Sequence, residues 1–260
     1  MTEGLGIVNV TKRFGGVVAV SDASVAVDVG SIHGLIGPNG AGKSTIIGLV
    51  SGFLRPDAGS LRFGHRDLAR LTPAAIATLG ISRTFQQATP LVGLTVLENI
   101  LVGMHTRYRS RIPAVLLRVM SMRREARELA GSAQVLLDRF GLSALADTDA
   151  ADLTFGKLRL LEMARAVAMR PRILLLDEPA AGLNRWETDQ MAQLIRRLRD
   201  EGMGVLVVDH DVPFVFNICD RVTVMNFGCV IASGPTEDVY QNPAVRDAYL
   251  GTGETRERST

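Results

Sequence analysis

Ser31-Ile-His-Gly-Leu-Ile-Gly37-Pro-Asn-Gly40-Ala-Gly42-Lys43-Ser44-Thr45-Ile-Ile-Gly-Leu-Val-Ser-Gly52 decides the fold. Residues 31–36 are a short apolar run, which predicts a buried strand, and residues 43–52 predict a helix. Between them, Gly37, Pro38, Asn39, Gly40, Ala41, Gly42, Lys43 and Ser44 meet the pattern G-x-x-x-x-G-K-[ST]. The glycines let main chain wrap a phosphate without side-chain clashes. Successive amide N–H groups then face the anion, and the helix beyond presents its positive end. Lys43 adds a point charge for β- and γ-phosphates, and the Ser44 hydroxyl suits Mg²⁺. Four fixed positions arise by chance in on the order of one in a hundred chains of this length. The flanking strand and helix lower that figure, so nucleotide binding is the reading. The motif alone does not say which reaction follows.

Ile173-Leu-Leu-Leu-Asp177-Glu178 is an apolar run that ends in two acids. Such a run predicts a parallel strand, and ligands of open α/β sheets bind at the carboxyl ends of strands. Asp177 is the candidate to hold the magnesium shell through water. Glu178 is the candidate to orient and polarise an attacking water, work that in phosphoryl transfer is mostly positioning and charge stabilisation. An acid in that place argues against a small-molecule kinase, whose acceptor is a substrate hydroxyl. Residues 204–208 predict a second buried strand, with His210 just past it, and Met191, Leu194, Ile195 and Leu198 have the spacing of a helix covering the sheet.

The remaining signals fill in the frame. Residues 7–14, 20–29, 60–63 and 81–85 predict strands, and residues 221–225 and 229–232 a closing hairpin. Thr72-Pro73 marks a helix start, and Thr95 with Glu98 fits a capping box opening a helix over 95–104. From there to about residue 142 the signals are helical and basic, with Arg107, Arg109, Arg111, Arg118, Arg123, Arg124 and Arg127. These arginines read as a solvated helical face, or as a face against a membrane partner or anionic lipid. Residues 158–169 predict another helix, and the charged tail from Gly253 predicts disorder over 253–260.

Composition bounds the classes. The 260 residues are 47% hydrophobic and 22% charged, enough for a core and a subdomain, and 5% aromatic, so the core rests on aliphatic side chains. A net charge of +2 does not argue for nucleic acid. Cys219 and Cys229 read as reduced core thiols. No secretory leader and no membrane span is expected; the longest apolar stretch, residues 112–120, is broken by Arg118. A membrane role would have to run through a partner.

Leu153-Thr154-Phe155-Gly156-Lys157, about 20 residues before the acids, resembles the signature L-S-G-G-Q of the ATP-binding cassette (ABC) family, keeping a hydroxyl at Thr154 and the second glycine. Phe14 falls where that family stacks an aromatic on adenine. Gln86, in Arg83-Thr-Phe-Gln86, falls at the Q-loop glutamine that touches Mg²⁺, with Gln87 adjacent. Ala180-Ala181-Gly182-Leu183-Asn184 resembles the D-loop, and His210 matches the switch histidine near the γ-phosphate. The resemblance spans residues 7–251. Arg-Thr-Phe-Gln, Leu-Thr-Val-Leu-Glu-Asn, Asp-Glu-Pro-Ala-Ala-Gly-Leu-Asn and the end at 242–251 look like ATPases of branched-chain amino-acid importers.

That resemblance implies an α/β fold: a P-loop ATPase core of parallel sheet flanked by helices, an N-terminal antiparallel β subdomain, and an inserted α-helical subdomain over 88–157, within one nucleotide-binding domain over 1–260. It implies ATP and Mg²⁺ as cofactors. Thr45 joins residues 37–44 at the nucleotide, and Glu178, His210 and Lys43 carry hydrolysis of ATP. It implies a second ATP-binding subunit, identical or not, whose residues 153–157 cover the far side of the γ-phosphate, and a separate membrane permease, with this chain held peripherally at the cytoplasmic face of the cell membrane. Relatives that move urea, amides or lipopolysaccharide share much of the pattern. DNA-directed ABC ATPases carry long coiled-coil insertions and ribosome-associated ones usually two ATPase halves, and neither is evident here.

Overall fold

The structure is a computed structural model that describes residues 4–84, 90–104, 118–243 and 245. The chain divides into two compact units, Met1–Arg83 with Arg172–Thr260, and Thr84–Pro171.

The first unit holds two sheets. β1 (Leu5–Phe14), β2 (Val17–Val27), β4 (Ala58–Phe63) and β5 (Arg66–Asp67) form an antiparallel sheet in the order β2-β1-β4-β5. The second sheet runs β10-β9-β3-β8-β7-β6, from β3 (Ile32–Ile36), β6 (Ile81–Arg83), β7 (Ile173–Asp177), β8 (Gly204–Val208), β9 (Arg221–Asn226) and β10 (Cys229–Pro235). Its pairings are parallel except for the β9–β10 hairpin. Every residue of β3, β7 and β8 is buried, which is why they read as mainly apolar runs rather than alternating ones, interrupted only by buried His33 in β3 and closed by Asp177 in β7. Register sets Val208 beside both Leu35 and Asp177. The carboxyl ends of β3, β8 and β7 therefore come together, and each opens into a loop that the sequence marks.

Helices α1 (Lys43–Val50) and α2 (Pro73–Thr78) start as expected, α2 with the Thr72 hydroxyl accepting from the Ala75 amide at 3.3 Å. α6 (Arg185–Asp200) buries Met191, Leu194, Ile195 and Leu198, the four residues with helical spacing. α7 (Val212–Ile218) and α8 (Thr236–Gln241) carry no strong signal of their own; α7 is only two turns long, begins at Val212-Pro213, and is capped by Asp211.

The second unit contains α3 (Val96–Gly103), α4 (Arg118–Arg139) and α5 (Phe155–Ala168), with short 3-10 turns at Ser143–Leu145 and Ala150–Asp152. Both halves of the capping box at Thr95 and Glu98 are present, at 3.2 and 2.8 Å. α3 packs on α4 and α5. A Cβ on Gly103 would lie 2.5 Å from the Arg165 carbonyl oxygen, so the α3–α5 contact needs glycine there. Because α5 packs on α3 and α4, the compact unit runs past residue 157 to Pro171.

Cys219 is buried, and burial pushes its thiol well above the usual range. Cys229 is exposed on β10, so the expectation of two core thiols fails for it: its side chain falls on the solvent side of the hairpin. Arg107, Arg109 and Arg111 and the tail 253–260 lie outside the described residues, as does most of the apolar stretch 112–120. Among the described residues, no helix is long and apolar enough to cross a membrane.

Candidate active site

The glycine loop is fixed from below. A Cβ on Gly37 would meet the Met225 carbonyl oxygen at 2.4 Å, and one on Gly42 the Ala19 carbonyl oxygen at 2.5 Å. Gly42 also has φ +101°, and Gly40 has φ +81° with open space around it. The β9–β10 turn ties this loop to β2. The Gly228 amide donates to the Ala41 carbonyl at 3.1 Å, and the Gly228 carbonyl accepts from the Ser21 amide at 2.8 Å. Pro38, Asn39 and Gly40 form an exposed crest over buried Ala41 and Lys43. The Lys43 ammonium donates to the Gly37 carbonyl at 2.6 Å and the Pro38 carbonyl at 3.0 Å. Burial pulls its pKa down, and the charges of Glu178, Asp177 and Asp209 pull it back up. Ser44 and Thr45 sit on the first turn of α1, where unpaired helix N–H groups favour an anion.

At the end of β7, Asp177 is 2% exposed and meets the Arg83 guanidinium from β6 at 3.1 Å. Burial pushes its carboxyl above the usual range; Arg83 and Lys43 oppose this and Glu178 reinforces it. Glu178 stands at φ +49°, a conformation that costs a non-glycine residue roughly 1–3 kcal/mol. Its amide donates to the Val208 carbonyl at 2.7 Å, so the main chain stays in line with β8. The His210 Nδ1 lies 3.4 Å from Glu178 Oε1 and 3.6 Å from Asp209 Oδ1. Asp209 itself is fully buried. Its Oδ1 accepts from the His210 and Asp211 amides at 2.7 and 3.0 Å, and its Oδ2 from the Ala180 amide at 3.4 Å. Burial raises its pKa and these amides lower it.

Beyond Glu178 the chain turns tightly, with the Ala181 amide donating to the Glu178 carbonyl and the Leu183 amide to that of Ala180, both at 3.2 Å. Gly182 takes φ +77° in this turn. Asn184 caps α6 in a reciprocal box with Glu187, both bonds at 3.0 Å. Phe14 ends β1 half-exposed, with the Lys12 ammonium 5.5 Å from its ring centroid. In the second unit, Leu153 is buried and Thr154 occupies the N-cap of α5 without a side-chain cap bond. Exposed Phe155 has the Arg159 guanidinium 5.2 Å from its ring centroid, Gly156 is buried, and Lys157 donates to the Gly141 carbonyl at 3.3 Å.

The ABC transporter family matches residues 20–181, more than half of the chain. This chain is an ABC transporter ATP-binding protein. A second family, described as branched-chain amino acid ATP-binding cassette transporter, matches residues 229–255. The ABC protein is 39% identical to the high-affinity branched-chain amino acid transport ATP-binding protein BraF of Pseudomonas aeruginosa, over 95% of this chain and 97% of BraF. Its fold superposes with a TM-score of 0.82 on the ADP conformation of an ATP-binding cassette of an ABC transporter, at 32% identity over 96% of this chain and 100% of that one. A dimeric cassette in a post-hydrolysis state, bound to ADP and Pi, shares the fold at a TM-score of 0.74 and 24% identity, over 89% of this chain and 98% of that one.

The ABC fold thus brings Lys43, Asp177, Glu178 and His210 to one sheet edge, while Gln86 lies outside the described residues. Two participants escaped the sequence reading. Asp209 directly follows β8, much as Asp177 closes β7, so the acid after an apolar run was a visible signal; for Arg83 no rule of spacing pairs it with an acid 94 residues away. The oxygens of Ser44 and Asp177 are hard donors of the kind Mg²⁺ prefers. Mg²⁺ also takes few protein ligands beside phosphate and water, so the donor chemistry fits that ion.

Proposed function

We propose that this ABC ATPase powers import of branched-chain amino acids through a separate membrane permease, working as one half of a dimer held peripherally at the cytoplasmic face of the membrane. The observation that carries the hydrolytic part is the Glu178–His210 pair, 3.4 Å apart, next to Lys43 and the phosphate loop. Residues 37–45 hold the triphosphate, Phe14 stacks on adenine, and Lys43 neutralises charge at the β- and γ-phosphates. Ser44, Asp177 and Gln86 serve Mg²⁺, which when bound neutralises developing phosphate charge. Glu178 takes up the proton side of water attack, and His210 holds that carboxylate and faces the γ-phosphate.

Leu153, Thr154, Phe155, Gly156 and Lys157 act in trans on the nucleotide of the other subunit, and residues 181–184 line the same interface. The dimeric cassette of like fold supports this reading. The cargo follows from the identity to BraF and from the family match at 229–255.

Two experiments test the proposal. Glu178→Gln keeps ATP binding and lowers turnover by ~10²–10⁴-fold, the usual contribution of a positioned acid–base group; normal hydrolysis refutes the assignment. Vesicles carrying the chain with its permease should take up leucine, isoleucine and valine on ATP. Uptake of urea or amides instead moves the cargo, and co-purification with DNA or ribosomes rather than a permease removes the transport role.

A further inference from the structure

Asp209 has more contacts than a turn requires. Acceptance by Oδ1 from the amides of His210 and Asp211 is an ordinary Asx turn, which an exposed aspartate makes equally well. Burying a carboxylate costs free energy unless donors compensate. The local turn does not explain why the residue is fully buried, nor why Oδ2 reaches the Ala180 amide 29 residues away in sequence. Those two loops carry different parts of the proposed site. One bears His210; the other runs from Glu178 through the turn at 180–183 to Asn184. The His210 ring nitrogen lies between the Glu178 and Asp209 carboxylates, at 3.4 and 3.6 Å.

We infer that Asp209 is a positioning residue for hydrolysis, a buried yoke that holds His210 against Glu178 with one oxygen and pins the segment 180–184 with the other. Placement of the His210–Glu178 pair and the shape of that segment are then linked through one carboxylate. The inference rests on the proposed roles of Glu178 and His210.

Asp209→Asn separates the two arms. The amide oxygen still accepts from His210 and Asp211, while the NH₂ group faces the Ala180 N–H, donor against donor. The full chain should fold, bind ATP with near wild-type affinity and keep its KM. Its kcat should fall about 10–100-fold, the usual effect of losing a partner that orients an active group. Amide exchange should quicken at 180–183 and stay unchanged in β7 and β8. Asp209→Ser, which keeps a short-range turn acceptor and loses the reach to Ala180, should give the same split.

Unchanged kcat in both variants overturns the inference. So does a fall in kcat matched by equal losses of ATP affinity and of unfolding temperature, which would make Asp209 a fold residue only. Glu178→Gln measured alongside distinguishes the failures. Normal hydrolysis by that variant sinks the functional reading, whereas its arrest beside an unaffected Asp209→Asn sinks only the yoke.

Discussion

Three glycines of the phosphate loop differ in why they must be glycine, and alanine at each should separate the reasons. Gly40 has φ +81° and nothing near its missing Cβ, so Gly40→Ala carries only the left-handed penalty of ~1–2 kcal/mol. At Gly37 the backbone needs no left-handed conformation, but a Cβ would meet the Met225 carbonyl oxygen at 2.4 Å and the Ala41 Cβ at 2.9 Å. The cost there is displacement of β9 or the loop, of the ~1–3 kcal/mol typical of overpacking. Gly42 combines both: φ +101°, and a strand carbonyl, that of Ala19, at 2.5 Å. Its alanine variant should lose on the order of 2–5 kcal/mol, the sum of the two ranges. Stiffening of the unfolded chain by alanine is common to all three and cancels in the differences. Urea unfolding gives the order, Gly42→Ala the least stable and Gly40→Ala the least affected. ATP titration should rank affinity the same way, because Gly42 is the N-cap of α1 and any relief of the clash turns the helix end away from the phosphates. If Gly42→Ala and Gly40→Ala agree within ~0.5 kcal/mol, the spread of ordinary surface changes, the close approach of β2 does not constrain this loop.

Two further outcomes are specific. Thr154→Ala should leave stability nearly untouched, because its hydroxyl makes no cap bond, while Thr95→Ala, which breaks a capping box, costs ~1 kcal/mol. Turnover should respond in reverse, falling ~10²–10³-fold for Thr154→Ala if that hydroxyl serves the partner's nucleotide, and an unaffected rate counts against a signature acting in trans. Burial, aided by the charge of Arg221, holds the His33 pKa down to about 4, so the unfolded chain protonates first as pH falls. Unfolding free energy should drop by roughly 3 kcal/mol between pH 6.5 and 4 on this account and stay flat below; His33→Gln should remove that slope, and an identical slope in the variant would show that other groups cause it.

The parts of the fold that were legible are those where one physical requirement acts locally. β3, β7 and β8 are buried on both faces, so the mainly apolar runs of the sequence match the observed strands almost end to end. The box at Thr95 and Glu98 needs only its own turn. The glycine loop reads directly because its geometry forbids side chains at fixed places. Legibility failed where a helix start carries no side-chain cap bond, and where long-range contact decides. α5 begins at Phe155 rather than at residue 158, because Thr154 takes the N-cap position inside a stretch read as a loop signature. The Arg83–Asp177 pair and the reach of Asp209 to Ala180 join residues that only the sheet order β8-β7-β6 makes neighbours.

The strained residues of the first unit mark where the chain departs from what the fold alone asks. Asn9 and Asp22 have positive φ, and both are residue types that tolerate it; they bond to each other at 2.8 Å beside a register shift of the β1–β2 pair. Phe227 precedes Gly228 in the β9–β10 turn, where two positive φ values match the twist of the strands. Glu178 has neither excuse. It is not a residue that favours φ +49°, and it stands at the first position of the turn closed by the Ala181 amide, which asks nothing special of φ there. What the conformation does achieve is a carboxylate 3.4 Å from the His210 ring while the amide still bonds to Val208 on β8. The strain thus falls on the residue proposed to act on the attacking water, where strain of functional origin is expected.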